Sequence, residues 1–296
     1  MKKRYAAAFL CAVLLTLLCC APASADTGPK PSVSVSFTGL GDELCYATLI
    51  SETKSTGPWQ AWDGTEENAL YRENLDYATA DKEIWETFVN YNDSDGFYFL
   101  QQTWQVNETG ELYWGYYPPS CFKVLLYFPE TGEFAVSDKL ERYAFDSYFT
   151  VDAHGVYVEH GVLPAEKSYD YGPEIVGFLG RVVITVLIEL LIALLFAYSE
   201  KRQLILLVAV NLVTQIVLNV ILNVSDYRWG AWAALVYYVI GELVVTVIEV
   251  VVYGIWLNKL GTRERKKWVP AVYAVTANLV SFIGGRLLMT VMPWLG

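Results

Sequence analysis

Residues Ala231–Leu257 read AWAALVYYVIGELVVTVIEVVVYGIWL, and this stretch decides the fold class. Nearly every position is aliphatic or aromatic, and the run exceeds the ~20 residues that cross a hydrocarbon core. Two carboxylates interrupt it, Glu242 and Glu249. Their seven-residue spacing is two helical turns, so both face the same way, and Tyr238, Thr246 and Tyr253 extend that face. Ionisable groups at such depth are costly and usually face a bundle interior or a wet cavity.

Three more apolar runs belong with it: Ile175–Tyr198, Leu204–Val224 and Val269–Met292. Each also carries a polar or small-residue stripe. Arg181, Thr185, Glu189 and Ala193 recur at four-residue steps in the first, and Asn211, Gln215, Asn219 and Asn223 in the second, with Thr214 alongside. In the last, Ala277, Ser281 and Gly285 form a small-xxx-small ladder suited to close helix contact, with Asn278 beside it and Arg286 nearer the outer end. Four stripes facing one axis bury three carboxylates, two arginines and a set of amides. For the Asn and Gln stripe, interhelical hydrogen bonding as packing glue is the favoured reading. Glu189, Glu242 and Glu249 outnumber the arginines, which lie closer to the outer surface, so proton or cation handling is the competing reading for the carboxylates.

The charges between the runs set an orientation. Lys201 and Arg202 follow the first run, and Lys259, Arg263, Arg265, Lys266 and Lys267 follow the third, whereas Ser225–Gly230 holds only Asp226 and Arg228. The positive-inside bias puts the two basic loops in the cytoplasm and the N-terminal part outside. Trp229, Trp232, Trp256, Trp268 and Trp294 fall near the ends of the runs, as an aromatic belt would.

The start of the chain agrees independently. Lys2, Lys3 and Arg4, the apolar run Tyr5–Cys20 and Ala23-Ser24-Ala25 read as a secretory signal over residues 1–25. A lipoprotein signal acylated at Cys20 is the less favoured alternative, because Cys19 precedes it. The chain has 296 residues and net charge −11, but the two halves differ. Asp26–Pro173 holds 8 basic against 25 acidic residues, and Glu174–Gly296 holds 10 against 7. That asymmetry reads as an acidic exported domain (26–171) fused to a membrane domain (172–296) with spans 175–198, 204–224, 231–257 and 269–292.

The exported part reads as short strands: Ser32–Thr38, with a two-residue period, then Leu44–Ser51, Phe97–Gln105, Leu112–Tyr117, Cys121–Phe128, Glu133–Val136 and Tyr143–Val151. Tyr71–Tyr91 reads instead as one helix or two short ones. The fold class expected is therefore a multi-domain chain: a mainly-β, β-sandwich-like domain with a helical insertion, followed by an all-α four-helix transmembrane bundle.

Two cysteines remain after the signal, Cys45 and Cys121, and their number leaves both a disulfide and two buried thiols open. His154 and His160, the only histidines, have no cysteine near them, so no zinc spacing exists. No cofactor is expected. Asn92-Asp93-Ser94-Asp95-Gly96 resembles part of a calcium loop, but Tyr91 and Gln102 fill the first and twelfth ligand positions, so a plain Asp-Gly turn is the better reading. The bundle lacks histidine and aspartate, which leaves metal, Ser-His and aspartyl chemistry without partners. The tyrosine-rich run Tyr113–Pro119 is read as sheet surface or core in preference to a ligand-stacking face.

Several stretches carry a resemblance. They are Lys30-Pro31-Ser32-Val33 leading to Tyr46-Ala47-Thr48-Leu49, the Asp95-Gly96-Phe97-Tyr98-Phe99 turn, Tyr116-Tyr117-Pro118-Pro119, Phe122–Pro129 and Arg142–Tyr148. With Asn211/Thr214, Glu242/Glu249 and Asn278/Ser281, they resemble an uncharacterised family of exported four-helix membrane proteins of Clostridia-type Gram-positive bacteria. The resemblance implies the architecture and a Gram-positive surface location, and it transfers no catalytic residue.

The expectation for function is a non-enzymatic cell-surface sensing or binding protein, its outer domain coupled to the polar-cored bundle. The alternative is a small proton- or cation-coupled transporter, or a subunit of one, using Glu189, Glu242 and Glu249. An envelope assembly or scaffold protein comes third. The partners expected are the lipid bilayer and another membrane or envelope protein, with no nucleic acid.

Overall fold

The computed structural model describes residues 28–71, 82–154 and 163–291, with side chains up to residue 284. The expected signal segment with its Cys20 alternative, residues 72–81, His160 and the Gly285 and Arg286 side chains lie outside the described residues. By its contacts Pro31–Gly296 is one unit, so the sheets and the long helices are described together.

The strands in chain order are β1 (Ser32–Thr38), β2 (Tyr46–Ser51), β3 (Ser55–Thr56), β4 (Trp59–Gln60), β5 (Tyr98–Phe99), β6 (Trp104–Gln105), β7 (Glu111–Trp114), β8 (Cys121–Phe128), β9 (Glu133–Val136), β10 (Leu140–Glu141), β11 (Asp146–Asp152) and β12 (Ala165–Lys167). One sheet has the order β12-β11-β1-β7 and a second β10-β8-β2-β5, with β6 also on β2 and β9 on β8. β1 alternates as its sequence does: Val33, Val35 and Phe37 are buried, and Ser34 and Ser36 are half-buried. Those inward residues, with Leu112, Phe149 and Val151, share one core with Leu49, Phe122, Val124 and Leu126 of the second sheet.

On the other face of the second sheet lies helix α1 (Lys82–Asn90). Its Ile84, Trp85 and Phe88 pack on Ile50, Phe99 and Leu125. β2 and β8 are thus buried on both faces, which is why Val124-Leu125-Leu126 runs without alternation. Full burial of each such side chain is worth about 1.5–3 kcal/mol.

β2 starts two residues later than expected, at Tyr46, and three other expected strands differ more. Phe97–Gln105 is not continuous: Gln101 takes a positive φ of 63°, and the segment between β5 and β6 arches off β2. The arch is held from inside. The Gln101 side chain accepts from Leu70 N (2.9 Å) and Trp85 Nε1 (3.2 Å) and donates to Gln60 O (2.9 Å), and Thr48 Oγ1 donates to Gln102 O. Leu112–Tyr117 ends early, at Trp114, ahead of a positive φ at Tyr117. Tyr143–Val151 starts late, at Asp146, because Ser147 Oγ accepts from the backbone N–H groups of Tyr143 and Ala144 and folds them into a turn.

The disulfide left open for Cys45 and Cys121 does not form; both are free cysteines. They stand at opposite ends of the β2–β8 ladder, whose register runs from Tyr46↔Tyr127 to Ser51↔Phe122. That is about 20 Å at ~3.3 Å per residue, far beyond the ~7 Å Cα limit of a disulfide. The Asp-Gly turn is present, with Gly96 at φ 78° and Asp93 Oδ2 accepting from Asp95 N and Phe97 N. Its acids also hold Lys123, at 3.0 Å from Asp93 and 2.6 Å from Asp95.

Four helices follow: α2 (Gly172–Leu195), α3 (Lys201–Trp229), α4 (Ala231–Trp256) and α5 (Val269–Val291). The first three are long and apolar enough to cross a membrane; the apolar part of α5 with described side chains is shorter, Val269–Gly284. α3 continues past the expected end at Val224 to Trp229, and Gly230, at φ 79°, makes the turn into α4 alone. The helices are apolar outside and polar inside. Leu179, Val183, Leu187, Val213, Val217 and Val247 are exposed, while Glu189, Asn211, Gln215, Asn219 and Glu249 are buried. After α2, Ala197 at φ 58° reverses the chain. Arg265, from the basic loop, donates to the carbonyls of Phe196 (2.8 Å) and Ala197 (2.7 Å) and stacks on Tyr198.

The β-rich region and the helices meet at a tyrosine-lined joint. Phe145 N donates to Tyr227 O at 2.8 Å. Tyr143, Tyr148, Tyr169, Tyr171 and Tyr227 surround that bond with ring centroids 4.7–6.4 Å apart. Tyr169 OH also donates to Glu174 in the first turn of α2.

Candidate functional site

The polar stripes of α2–α5 meet in one layer. Asn211 on α3 donates through Nδ2 to Glu189 Oε2 on α2 at 2.6 Å and to Tyr253 OH on α4 at 3.1 Å. One turn further along α3, Thr214 Oγ1 contacts Glu249 Oε1 on α4 at 3.2 Å. The second oxygen of Glu249 accepts from Asn278 Nδ2 on α5 at 2.6 Å. Four helices are therefore joined through two carboxylates. Glu189 and Asn211 are each 1% exposed, Glu249 0% and Asn278 3%.

Helical periodicity explains why these residues converge. Asn211 and Thr214 are three apart on α3, and Glu249 and Tyr253 four apart on α4, so each pair lies on one helix face. The amide orientation follows from chemistry: turning Asn211 around would set its oxygen against the Glu189 carboxylate. Ala277 and Ser281 are buried beside Asn278, and Ser281 Oγ donates to Asn278 O at 3.0 Å.

The remaining expected residues lie outside this layer. Arg181 donates to Asn219 Oδ1 (2.6 Å) and Asn223 Oδ1 (3.0 Å), amides on α3. Glu242, two turns before Glu249, is only half-buried; Gln215 faces its carboxyl, outside ordinary hydrogen-bond geometry. Asn219 Nδ2 donates to Gln215 O at 2.9 Å. Among the described residues, no Lys, Arg or His forms an ion pair with Glu189, Glu242 or Glu249.

Two contributors were not singled out as site residues from sequence. Tyr253 lies on the carboxylate stripe and bonds Asn211. Tyr273, four residues before Ala277 on the small-residue ladder, donates to the Glu189 backbone carbonyl at 3.2 Å. Tyr253 already stood on the carboxylate stripe, and extending the small-residue ladder by one turn would have found Tyr273. No protein-family model matches the chain, and neither a curated protein nor a solved structure does.

Proposed function

We propose that this is a non-enzymatic, multi-pass protein of a Gram-positive cell membrane that senses or binds a partner outside the cell. In this reading the signal segment exports the β-rich domain, α2–α5 all cross the bilayer, and the loops carrying Lys201–Arg202 and Lys259–Lys267 are cytoplasmic. The apolar exterior of α2–α4 supports a bilayer setting. The 23 residues of α5, ~35 Å at 1.5 Å per residue, support its role as the fourth span.

The observation that carries the sensing role is the joint between Phe145 and Tyr227. A domain merely tethered to the membrane needs no backbone hydrogen bond and no ring cluster against the helix ends. A domain whose state must reach the bundle does. The test uses full-length protein in nanodiscs, with fluorophores at Thr109→Cys in the outer domain and Ser199→Cys in the bundle, on a Cys121→Ser background. The reading expects both probes to report one melting transition, and Phe145→Pro to split it. Two separate transitions without that substitution would overturn the coupling. In intact cells an impermeant maleimide should label Thr109→Cys and spare Ser199→Cys; the reverse would overturn the orientation.

A second reading, a proton- or cation-coupled transporter or a subunit of one, is favoured by the buried acceptors of the carboxylate layer that have no donor, described below. Flux in liposomes that is lost in Glu242→Gln/Glu249→Gln, with folding kept, would establish it.

A further inference from the structure

In the Glu189–Glu249 layer the acceptors outnumber the donors. The Asn211 amide nitrogen is taken by Glu189 Oε2, Tyr253 OH and Leu207 O, and that of Asn278 by Glu249 Oε2 and Ala274 O. Thr214 Oγ1 lies 3.2 Å from Glu249 Oε1 and 3.1 Å from the carbonyls of Val210 and Asn211. Three buried oxygens are left without a hydrogen-bond partner: Glu189 Oε1, Asn211 Oδ1 and Asn278 Oδ1. They come from three helices, α2, α3 and α5. The hydrogen bonds linking them through Glu249 and Thr214 confine them to about one turn of depth.

An excess of buried acceptors beside two carboxylates calls for positive charge. Among the described residues no protein cation supplies it. Arg181, eight residues before Glu189 and so ~12 Å away along the axis, is held by Asn219 and Asn223. A single proton on Glu189 makes one O–H donor, which can serve one amide oxygen and still leaves the other without a partner. The donor set is all oxygen, which suits a hard cation. It is also poor in charge: one free carboxylate oxygen and two neutral amide oxygens, with both oxygens of Glu249 already in contact with Thr214 and Asn278. Among the described residues no three or more His, Cys, Asp or Glu are grouped to hold a metal ion, the kind of set a divalent cation favours.

We propose that Glu189, Asn211 and Asn278 form a buried site for a monovalent alkali cation, sodium first, with Glu249 beside it as the second negative charge. Protons compete for the site. Among the described residues the titratable groups around it are Glu189 from α2, Glu249 and Tyr253 from α4, with Glu242 two turns away on the same helix, and Tyr273 from α5; α3 presents only amides and Thr214. The inference shares its residues with the transporter reading but not its claim, since a bound ion need not cross.

The test is thermal unfolding of the full-length protein in nanodiscs, with sodium replacing N-methylglucamine at constant ionic strength and mildly alkaline pH. It is combined with radioactive sodium binding. The expected result is saturable binding of one ion and a rise in Tm of roughly 5 °C or more at hundredfold excess over Kd, weakening as pH falls. Glu189→Gln, which places an amide where the free oxygen stood, should abolish both responses. Sodium acting no differently from N-methylglucamine, with no bound ion, would overturn the site whatever the variant does. So would a Tm that follows pH alone. Sodium binding without any flux would uphold the site and remove the transporter reading.

Discussion

Asn278 on α5 donates to Glu249 on α4 at 2.6 Å, and this bond ties the last helix into the carboxylate layer. Beyond it, α5 relies on small residues and tyrosine packing, with Tyr273, Ala274 and Ala277 all buried. Asn278→Leu leaves one Glu249 oxygen without that donor, and a buried acceptor so exposed costs about 1–3 kcal/mol. The expected outcome is a lower Tm in nanodiscs. Asn278→Asp should cost more, because it sets carboxylate against carboxylate. Its deficit should shrink as pH falls and one of the two is neutralised; a deficit independent of pH would count against the contact.

Among the described residues, Lys123–Asp93 is the ion pair buried in the β-rich region, with side chains 5% and 1% exposed. Removing one partner of such a pair costs about 3–5 kcal/mol. Lys123→Met and Asp93→Leu should each destabilise strongly, and the double variant should recover most of the loss. Asp95, 66% exposed, also contacts Lys123, and Asp95→Ala should cost ~1 kcal/mol or less. Chemical denaturation of the four variants completes the cycle.

Cys45 and Cys121 should behave as two thiols of unequal reactivity. Burial, with Glu43 nearby, pushes the Cys45 thiol up to about 12, and burial followed by Glu52 raises that of Cys121. Native protein at pH 8 should leave Cys45 unlabelled by a maleimide, with full labelling after denaturation. Reductant should leave Tm unchanged. The linkage has a definite sign. A thiol whose folded-state value is raised contributes stability that is complete below its unfolded value and is lost as pH climbs from there to about 12. Cys45→Ala should reduce that alkaline loss.

Gly230 stands at φ 79° between α3 and α4, and a Cβ there would lie 2.6 Å from the Phe145 ring. Gly230→Ala therefore strains the turn and pushes on the joint at once. At φ 79° and ψ 172° the backbone lies in a region essentially reserved for glycine, and holding a residue with a Cβ there costs about 1–3 kcal/mol. The expected outcome is a loss of that size or more, with the probe in the β-rich region melting earlier than the bundle probe. Gly254, in helical backbone with nothing within 4 Å of an added Cβ, is the control, and Gly254→Ala should be neutral or stabilising.

Much of the architecture is legible in local periodicity. The alternation of Ser32–Thr38 gives the strand and its buried face, and the four-residue steps of Asn211, Gln215 and Asn219 give the buried face of α3. Other features need partners distant in sequence. β1 pairs in parallel with β11, Ser32 with Asp146 through Thr38 with Asp152, and nothing in either strand announces the other. Gln101 breaks an otherwise strand-like run because Leu70, Trp85 and Gln60 satisfy its side chain.

The carboxylates mark the same boundary. The sequence by itself determined that Glu242 and Glu249 share a face of one apolar helix, because a helix has a fixed repeat and a buried charge must avoid lipid. Only the tertiary structure decided that Asn211 meets Glu189 and that Thr214 and Asn278 meet Glu249, while Glu242 stays half-buried near Gln215. Helix repeat is local and follows from backbone geometry. Which acceptor meets which donor depends on helix depth, rotation and crossing, and those are settled only when all four helices pack together.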